Sequence, residues 1–562
     1  MKTVVATLNA KYIHSSLAMR LLYVANKEKQ DICFREFTIK EDVSKIAVEI
    51  AALQCDIIGL GVYIWNVKQS RQLVCELKRL APKSIIVLGG PEVSYEPEFF
   101  LQNWPVDYII SGEGEFVLGE LITALKTGES TSSISGLSFA GHISTKTAQA
   151  DIEKLISLQS PYQLPEDKDH FTHRLIYFET SRGCPYQCQY CLSSLEKGVR
   201  YFSPNYIEEN LSYLIRNGAK QIKFLDRTFN LNKARTRRIF DFLIANHRPG
   251  LSCQFEVYAD ILTDDIIDYL NEKLPTDFFR FEIGIQSVHE PTNAAVKRKQ
   301  DIKLLTANIR KLLKGSKVDL HLDLIAGLPH ETFDLFVQSF NLVFALQAKE
   351  LQLGFLKMLR GTGLRNNADK YAYSFDSEAP YQITENEDIS SAELERIQSA
   401  EHALDKYWNS GRFQTTLNVI FEEYYKDKGF EFFDELAQFS DANHFPKIGY
   451  LLEDLFRNLN DFLESKNINL STQLRKDYYS NFRIRPNGYW TQNIDKELKK
   501  RLLHQIGEDK DFLQNHQLTR RIIEKQTAID PLSENKFLLT IFALEDPKGQ
   551  HRELIYRLRK LQ

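Results

Sequence analysis

Apolar residues in the first 128 positions fall into short runs of two different periods. Thr3–Leu8, Ile32–Thr38, Asp56–Ile64, Ser84–Gly90 and Val106–Ser111 are rich in Val, Ile and Phe and mostly apolar on both faces. Such runs predict strands of a parallel sheet covered on both sides. Between them, Val67–Leu80 and Phe116–Lys126 carry apolar residues at helical spacing. The alternation predicts an α/β domain over residues 1–130, a doubly wound, Rossmann-like parallel sheet. Ligands of such sheets sit beyond the carboxyl ends of the strands. Those ends carry Tyr12, His14 and Ser15; Trp65 and Asn66; Gly89-Gly90-Pro91-Glu92-Val93-Ser94; and Gly112-Glu113-Gly114-Glu115. Glycines there let a ligand approach the backbone, and they equally make tight turns. Pattern alone leaves both readings open.

Residues 131–171 are weakly patterned and read as a connector. A second βα series occupies 172–362, with strands expected at Leu175–Ser181, Gln221–Asp226, Ser252–Tyr258, Phe278–Ser287, Asp319–Ala326 and Glu350–Met358. Six units predict a partial (β/α)6 barrel whose chemistry lies at the carboxyl ends of its strands. Over 363–562 the strand signal fades and helical stretches dominate, such as Ala392–Trp408, Tyr450–Ser465 and Glu497–Gln505. This predicts a helical C-terminal domain.

The whole chain, 562 residues with a net charge of −4, is long enough for several domains and is no general magnet for polyanions. Nucleic-acid binding would need a local patch. Arg475–Arg485, followed by Tyr489 and Trp490, interleaves basic and aromatic residues. It suits RNA contact by phosphate pairing and base stacking, or a solvated surface with its rings turned inward. No apolar run reaches the length of a membrane span, and the N-terminus lacks the h-region of an export signal. The cytoplasm is the expected compartment, with no membrane partner.

Seven cysteines in so long a chain do not read as a disulfide framework. Cys33, Cys55, Cys75 and Cys253 are scattered and read as small hydrophobes. Cys184, Cys188 and Cys191 fall within eight residues directly after a predicted strand. Three close thiolates repel one another and call for a metal. Zinc would need a fourth ligand, with His173 or Cys253 as candidates. An iron–sulfur cubane would keep one iron without a protein thiolate.

The spacing C-x3-C-x2-C at the end of the first barrel strand resembles the radical SAM superfamily, and further segments extend the resemblance. Tyr190 matches the aromatic position beside the S-adenosylmethionine (SAM) adenine. Phe224–Asn230, with Asp226, resembles the segment near the SAM amino group. Glu282-Ile283-Gly284-Ile285-Gln286-Ser287 is similar to the segment meeting ribose and carboxylate. Asp323–Pro329, with Gly327 and Pro329, is similar to the adenine-side motif. The N-terminal domain resembles the cobalamin-binding domain fused to many of these enzymes, on Gly89–Ser94 and Val106–Glu115. It departs from that family in lacking Asp-x-His-x-x-Gly, so cobalamin is expected to bind without a protein imidazole on cobalt. His14 is the nearby alternative. The C-terminal region resembles the uncharacterised DUF4080-type helical domain of this subgroup.

The resemblance implies that Cys184, Cys188 and Cys191 bind a [4Fe-4S] cluster whose fourth iron is chelated by SAM. It implies an electron donor such as flavodoxin or ferredoxin. With cobalamin beside the barrel, it implies a class B-type methyltransferase. One SAM would methylate cobalt, and a second would give the 5′-deoxyadenosyl radical that activates a carbon closed to SN2 attack. Cobalamin-dependent rearrangement, ring formation or tRNA modification is the alternative within the class. A non-catalytic cobalamin or redox sensor is the alternative outside it. A methylthiotransferase would need a second cysteine triad, and Cys33, Cys55 and Cys75 lack cluster spacing.

Overall fold

The computed structural model describes residues 1–196, 198–486, 494–542 and 552–558. Tyr489 and Trp490 lie outside the described residues.

The N-terminal sheet is built from β1 (Lys2–Asn9), β2 (Asp31–Thr38), β3 (Ile57–Gly61), β4 (Ile85–Gly89), β5 (Tyr108–Ile110) and β6 (Leu137–Phe139). Its order is β2-β1-β3-β4-β5-β6, parallel throughout except for antiparallel β6. The order reverses direction between β1 and β3, which is where such sheets open a crevice at their carboxyl ends. Side chains of β1 go alternately to the two faces: Val4, Ala6 and Leu8 join the core with Leu60 and Leu88, and Val5 joins the core with Leu121 and Ile122. Both faces are therefore dry, as the continuous apolar runs require. Strand β6 comes from the expected connector. Three residues of pattern were too few to reveal it.

The second sheet contains β7 (Leu175–Phe178), β10 (Gln221–Phe224), β11 (Ser252–Glu256), β12 (Phe279–Gln286), β13 (Asp319–Ala326) and β14 (Glu350–Phe355). A short antiparallel pair, β8 (Ser181–Arg182) with β9 (Arg200–Tyr201), follows the first of these strands. The six long strands are all parallel and lie in chain order, an open barrel. Alternation sorts their side chains. On β12, Phe279, Phe281, Ile283 and Ile285 are buried, while Arg280, Glu282 and Gln286 point the other way. The buried set meets the helices: the Phe240 ring lies 5.0 Å from Phe279 and 6.0 Å from Phe281. Each fully buried Phe contributes roughly 1.5–3 kcal/mol relative to exposure. The opposite, concave face is left to polar side chains.

By contact the chain divides into two units, Met1–Ser339 with Leu346–Leu394, and Phe340–Ala345 with Glu395–Gln562. The first unit ends in a hairpin of β15 (Ser374–Phe375) and β16 (Ile383–Glu385). The second unit is mainly helical, with Gly429–Ala442, Leu452–Ser465, Ser471–Ser480 and Lys496–Glu508 among its helices. It also carries an antiparallel sheet that the fading strand signal had hidden, formed by β17 (Thr527–Ser533), β18 (Lys536–Ile541) and β19 (Arg552–Arg557). Here the basic–aromatic stretch turns its rings inward. Tyr478 and Tyr479 are core residues, Arg475 pairs with buried Asp530 at 2.9 Å, and Arg485 donates to the Glu524 and Thr527 carbonyls. These two tyrosines are unavailable to stack on bases. Among the described residues no helix is long and apolar enough to cross a membrane.

Candidate cofactor site

The cysteine loop is anchored before its first cysteine. Asp226, at the carboxyl end of β10, shares the buried face of Ile222 and Phe224 by strand alternation. Its carboxylate accepts from Thr180 N (3.0 Å), Thr180 Oγ1 (2.6 Å) and Ser181 Oγ (2.5 Å). Cys184, Cys188 and Cys191 then emerge on one loop, none of them in a disulfide. Cys184 Sγ lies 3.9 Å from Thr228 Oγ1, and Cys188 Sγ lies 3.9 Å from Tyr258 OH. Burial, and then the two neighbouring thiols, push the Cys184 pKa up. Three thiols on one short loop are a soft donor set that a metal cluster would hold together, so the residues fit such a cluster. It does not fit zinc as well. Among the described residues the one set of three His, Cys, Asp or Glu donors within 4.8 Å of one another is His330, Glu387 and Asp388. A tetrahedral zinc site needs its sulfurs about 3.8 Å apart. Cys253 is fully buried on β11, facing the helices with Phe255.

Beside the loop stands Arg298, buried although it sits in a Lys-Arg-Lys run that reads as solvated surface. It donates to Tyr258 OH (2.8 Å), Tyr190 OH (3.2 Å), Gln300 Oε1 (2.9 Å) and the Gly284 carbonyl, and its Nη1 is 4.0 Å from Cys188 Sγ. Tyr190 is thereby fixed by its hydroxyl. Tyr258 stacks on Tyr186 at 4.2 Å. Deeper on the concave face, Glu282 is taken by Lys223 (2.8 Å) and Gln254. Glu256 and Asp323 flank it on the neighbouring strands and have no hydrogen-bond or ion-pair partner among the described residues. Burial, and then Glu282 and Glu256, push Asp323 up to about 7. Gln286 has φ +69° and a buried, unpartnered Oε1. Gly327 gives its carbonyl to Tyr373 OH (2.9 Å) and Asn386, and Pro329 is buried.

The loops of the N-terminal sheet converge on the same unit, and many of their residues are committed to holding it together. His14 Nδ1 lies 2.8 Å from Tyr177 OH, and Ser15 Oγ donates to the Leu175 carbonyl at 3.0 Å. Burial, and then Lys11, lower the His14 pKa. Asn66 is fully buried and braces the Leu8 and Gly61 carbonyls. Trp65 is half exposed and stacks on Tyr63 at 4.5 Å. Tyr12 is exposed beneath the Arg174 guanidinium. Gly90 has φ +106°, and a Cβ there would stand 2.5 Å from the Val62 carbonyl oxygen. Gly89 has more room, and Val93 is core. Ser94 Oγ bridges the Gly90 carbonyl and the Gly112 N–H. Glu92 pairs with Arg360, while Glu113 and Glu115 pair with Arg182.

The models of three families match in the order of these units. They are the B12 binding domain over residues 3–122, the radical SAM superfamily over 178–343, and a protein family of unknown function, DUF4080, over 369–546. The chain carries a cobalamin-binding domain followed by a radical SAM domain. An uncharacterised methyltransferase of Pyrococcus horikoshii, PH0819, is 28% identical over 56% of this chain and 70% of its own length. The cobalamin-dependent radical SAM methyltransferase TokK of Streptomyces tokunonensis is 25% identical over 49% of this chain and 43% of its own. Among solved structures, the cobalamin-dependent radical SAM enzyme OxsB with aqua-cobalamin bound shares the fold at TM-score 0.59. It is 15% identical and covers 86% of this chain and 81% of its own. A cobalamin-binding radical SAM enzyme uses a [4Fe-4S] cluster, SAM and cobalamin, and these are the cofactors of this chain.

Several residues of this radical SAM site escaped the sequence reading. Glu256 could have been found, and Asp323, which opens the adenine-side motif, could have been singled out within it, since alternation puts both on the same concave face as Glu282. Arg298, Arg182 and Arg360 carried no local signal, because their partners are distant in the chain.

Proposed function

We propose that this protein is a cobalamin-dependent radical SAM methyltransferase acting on an unactivated carbon. One observation carries the reading. Arg182, two residues before the cysteine triad at the end of the first barrel strand, is ion-paired to the Gly-Glu-Gly-Glu loop of the cobalamin-binding domain. The edges suited to the two cofactors therefore face one another within one unit. Cys184, Cys188 and Cys191 hold the cluster. Tyr190, Gln286, Gly327 and Pro329 line the SAM position, and the free carboxylates Glu256 and Asp323 are placed to accept its hydroxyl or amino hydrogens. Asp226 and Glu282 support that wall, with their oxygens already engaged. Tyr12, Trp65, Gly89, Gly90 and Pro91 are the residues left to meet cobalamin. His14, held by Tyr177, would not serve as a ligand to cobalt. When bound, the SAM-ligated cluster supplies the radical chemistry and cobalamin supplies the methyl group. The polar concave face excludes bulk water and orients the substrate. An electron donor of the flavodoxin or ferredoxin kind would be the cluster's redox partner.

Anaerobic reconstitution tests this. Cluster and corrin absorption bands are expected together, and SAM with reductant should yield both 5′-deoxyadenosine and S-adenosylhomocysteine. Cys184→Ala should lose the cluster band and 5′-deoxyadenosine but keep the corrin band. Absence of 5′-deoxyadenosine from the loaded protein would leave a sensor. Its formation without S-adenosylhomocysteine would point to rearrangement or ring formation.

A further inference from the structure

We propose that the cobalamin-binding domain is rigidly mounted on the barrel, and that Arg182 is the positioning residue fixing the separation of cobalamin and cluster. The proposal rests on the cofactor assignment above. Arg182 Nη1 lies 3.0 Å from Glu113 Oε2, and its Nη2 lies 2.8 Å from Glu115 Oε1 and 3.0 Å from Glu179 Oε2. Glu113 and Glu115 follow β5 on the cobalamin side, and Glu179 follows β7 on the cluster side. The Arg182 and Glu115 side chains are each 8% exposed. Arg200 adds a second cation to Glu113 and donates to the Ala150 carbonyl at 2.8 Å, while Ala150 N donates to Glu113 at 2.7 Å. A guanidinium is a planar fork, so carboxylates gripping it from two sides set a geometry as well as an attraction. Pulling them apart would strand buried charges.

The residue between Arg182 and the first cysteine explains how one short segment serves both cofactors. Gly183 has φ +89°, and a Cβ there would stand 2.1 Å from the Gly198 carbonyl oxygen. That turn sends Arg182 toward the Glu113 loop and leaves Cys184 on the barrel mouth.

Two further attachments lie on other loops. Arg360, beyond β14, pairs through Nε with Glu92 Oε1 at 3.2 Å and through Nη1 with Glu96. Tyr381 OH donates to the same Glu92 carboxylate. After β1, Leu175 N donates to the Ile13 carbonyl at 2.8 Å, next to the Ser15 and His14 contacts. The loops after β1, β4 and β5 are thus each tied to the barrel or to the segment leaving it. These attachments hold one body on the other, and the Arg182 cluster is the one that reaches the cysteine loop, so its loss would free that loop even with the other two in place. The substrate must enter a gap of set width.

Electron paramagnetic resonance of the full-length, reconstituted protein tests the mount, because cob(II)alamin and the reduced cluster are both paramagnetic and their coupling falls steeply with separation. In the wild type the cluster should speed cobalt spin relaxation relative to Cys184→Ala, which supplies the uncoupled baseline. Arg182→Gln should keep its iron and corrin bands but lose that enhancement. Arg182→Lys should also lose it, since one ammonium cannot span three carboxylates. Arg182→Gln with both cofactors and wild-type relaxation overturns the proposal, as does a doubly loaded wild type without enhancement. If Arg182→Gln fails to fold, Glu115→Gln decides: loss of enhancement supports the mount, and unchanged relaxation at full occupancy overturns it. A wild type that takes up no iron or no cobalamin refutes the cofactor assignment instead.

Discussion

At the scale of one residue, Asp226 shows how a site is held from behind. Its two oxygens serve three donors at the point where the chain leaves β7 for the cysteines. Asp226→Asn turns one acceptor into a donor facing N–H and O–H groups. Leaving such buried groups unmatched costs about 1–3 kcal/mol. The expected outcome is a lower thermal midpoint and reduced iron retention after reconstitution, with the corrin band unchanged. Iron content equal to wild type would show that the strand end needs no such anchor. The sequence motif places Asp226 near the SAM amino group, but strand period places it with Ile222 and Phe224 on the buried face, opposite Lys223. Its oxygens are engaged by Thr180 and Ser181 on that side. Glu282 and Gln286, where motif and period agree, do reach the concave face.

At the scale of elements, the strands were legible because each is a short apolar run ending at glycine or polar residues. Asp319–Ala326 was located to the residue, and Asp56–Ile64 was drawn too long because Val62 stays buried beyond the last ladder pair. What the loops do was harder to read. Glycine in a strand-end loop serves a turn and a ligand alike, and Gly90 shows both uses. Its positive φ makes the turn, and the absence of a side chain lets the loop close on the Val62 carbonyl. Gly90→Ala would bring a methyl group against backbone that cannot yield, with strain of about 1–3 kcal/mol. The loop after β4 should shift, weakening cobalamin binding by about tenfold at 1.4 kcal/mol. Iron content should remain that of the wild type. A cobalamin affinity equal to wild type would mean the loop does not meet the corrin.

For the molecule as a whole, the domain order was legible from pattern, whereas the C-terminal sheet and the long-range ion pairs were not. Arg360 and Glu92 are 268 positions apart, a separation no local period records. A collective property follows from what folding buries. Burial pushes Asp323 up to about 7, with Glu282 and Glu256 adding to it, and burial likewise pushes Glu331 up to about 7. In an unfolded chain both groups titrate near about 4. Between those values the folded protein binds more protons than the unfolded one, so stability falls as pH rises through about 4 to 7. Each group contributes at most about 3–4 kcal/mol over that window. Glu36, against the pull of burial, is held down by Arg20, and its contribution is lost only as pH falls through the lower carboxylate range. His14 and His402 are lowered by burial, then by Lys11 and Lys447 respectively, and they remove stability below about 6.5. The raised carboxylates outnumber these groups: Glu401 is also pushed up to about 7, and burial raises Glu179, Asp226, Glu256, Asp477 and Asp530 as well, so the raised carboxylates set the sign. The cofactor-free protein should therefore melt at a higher temperature at pH 5.5 than at pH 8. The pair of substitutions Asp323→Asn and Glu331→Gln should reduce that difference and raise the midpoint at pH 8. Asp323→Asn alone should also weaken SAM binding to the reconstituted enzyme, by about tenfold or more for a lost hydrogen bond to a charged acceptor. A midpoint that climbs from pH 5.5 to pH 8 in the wild type would mean that both carboxylates are solvated, and the dry concave wall that orients the substrate would go with them.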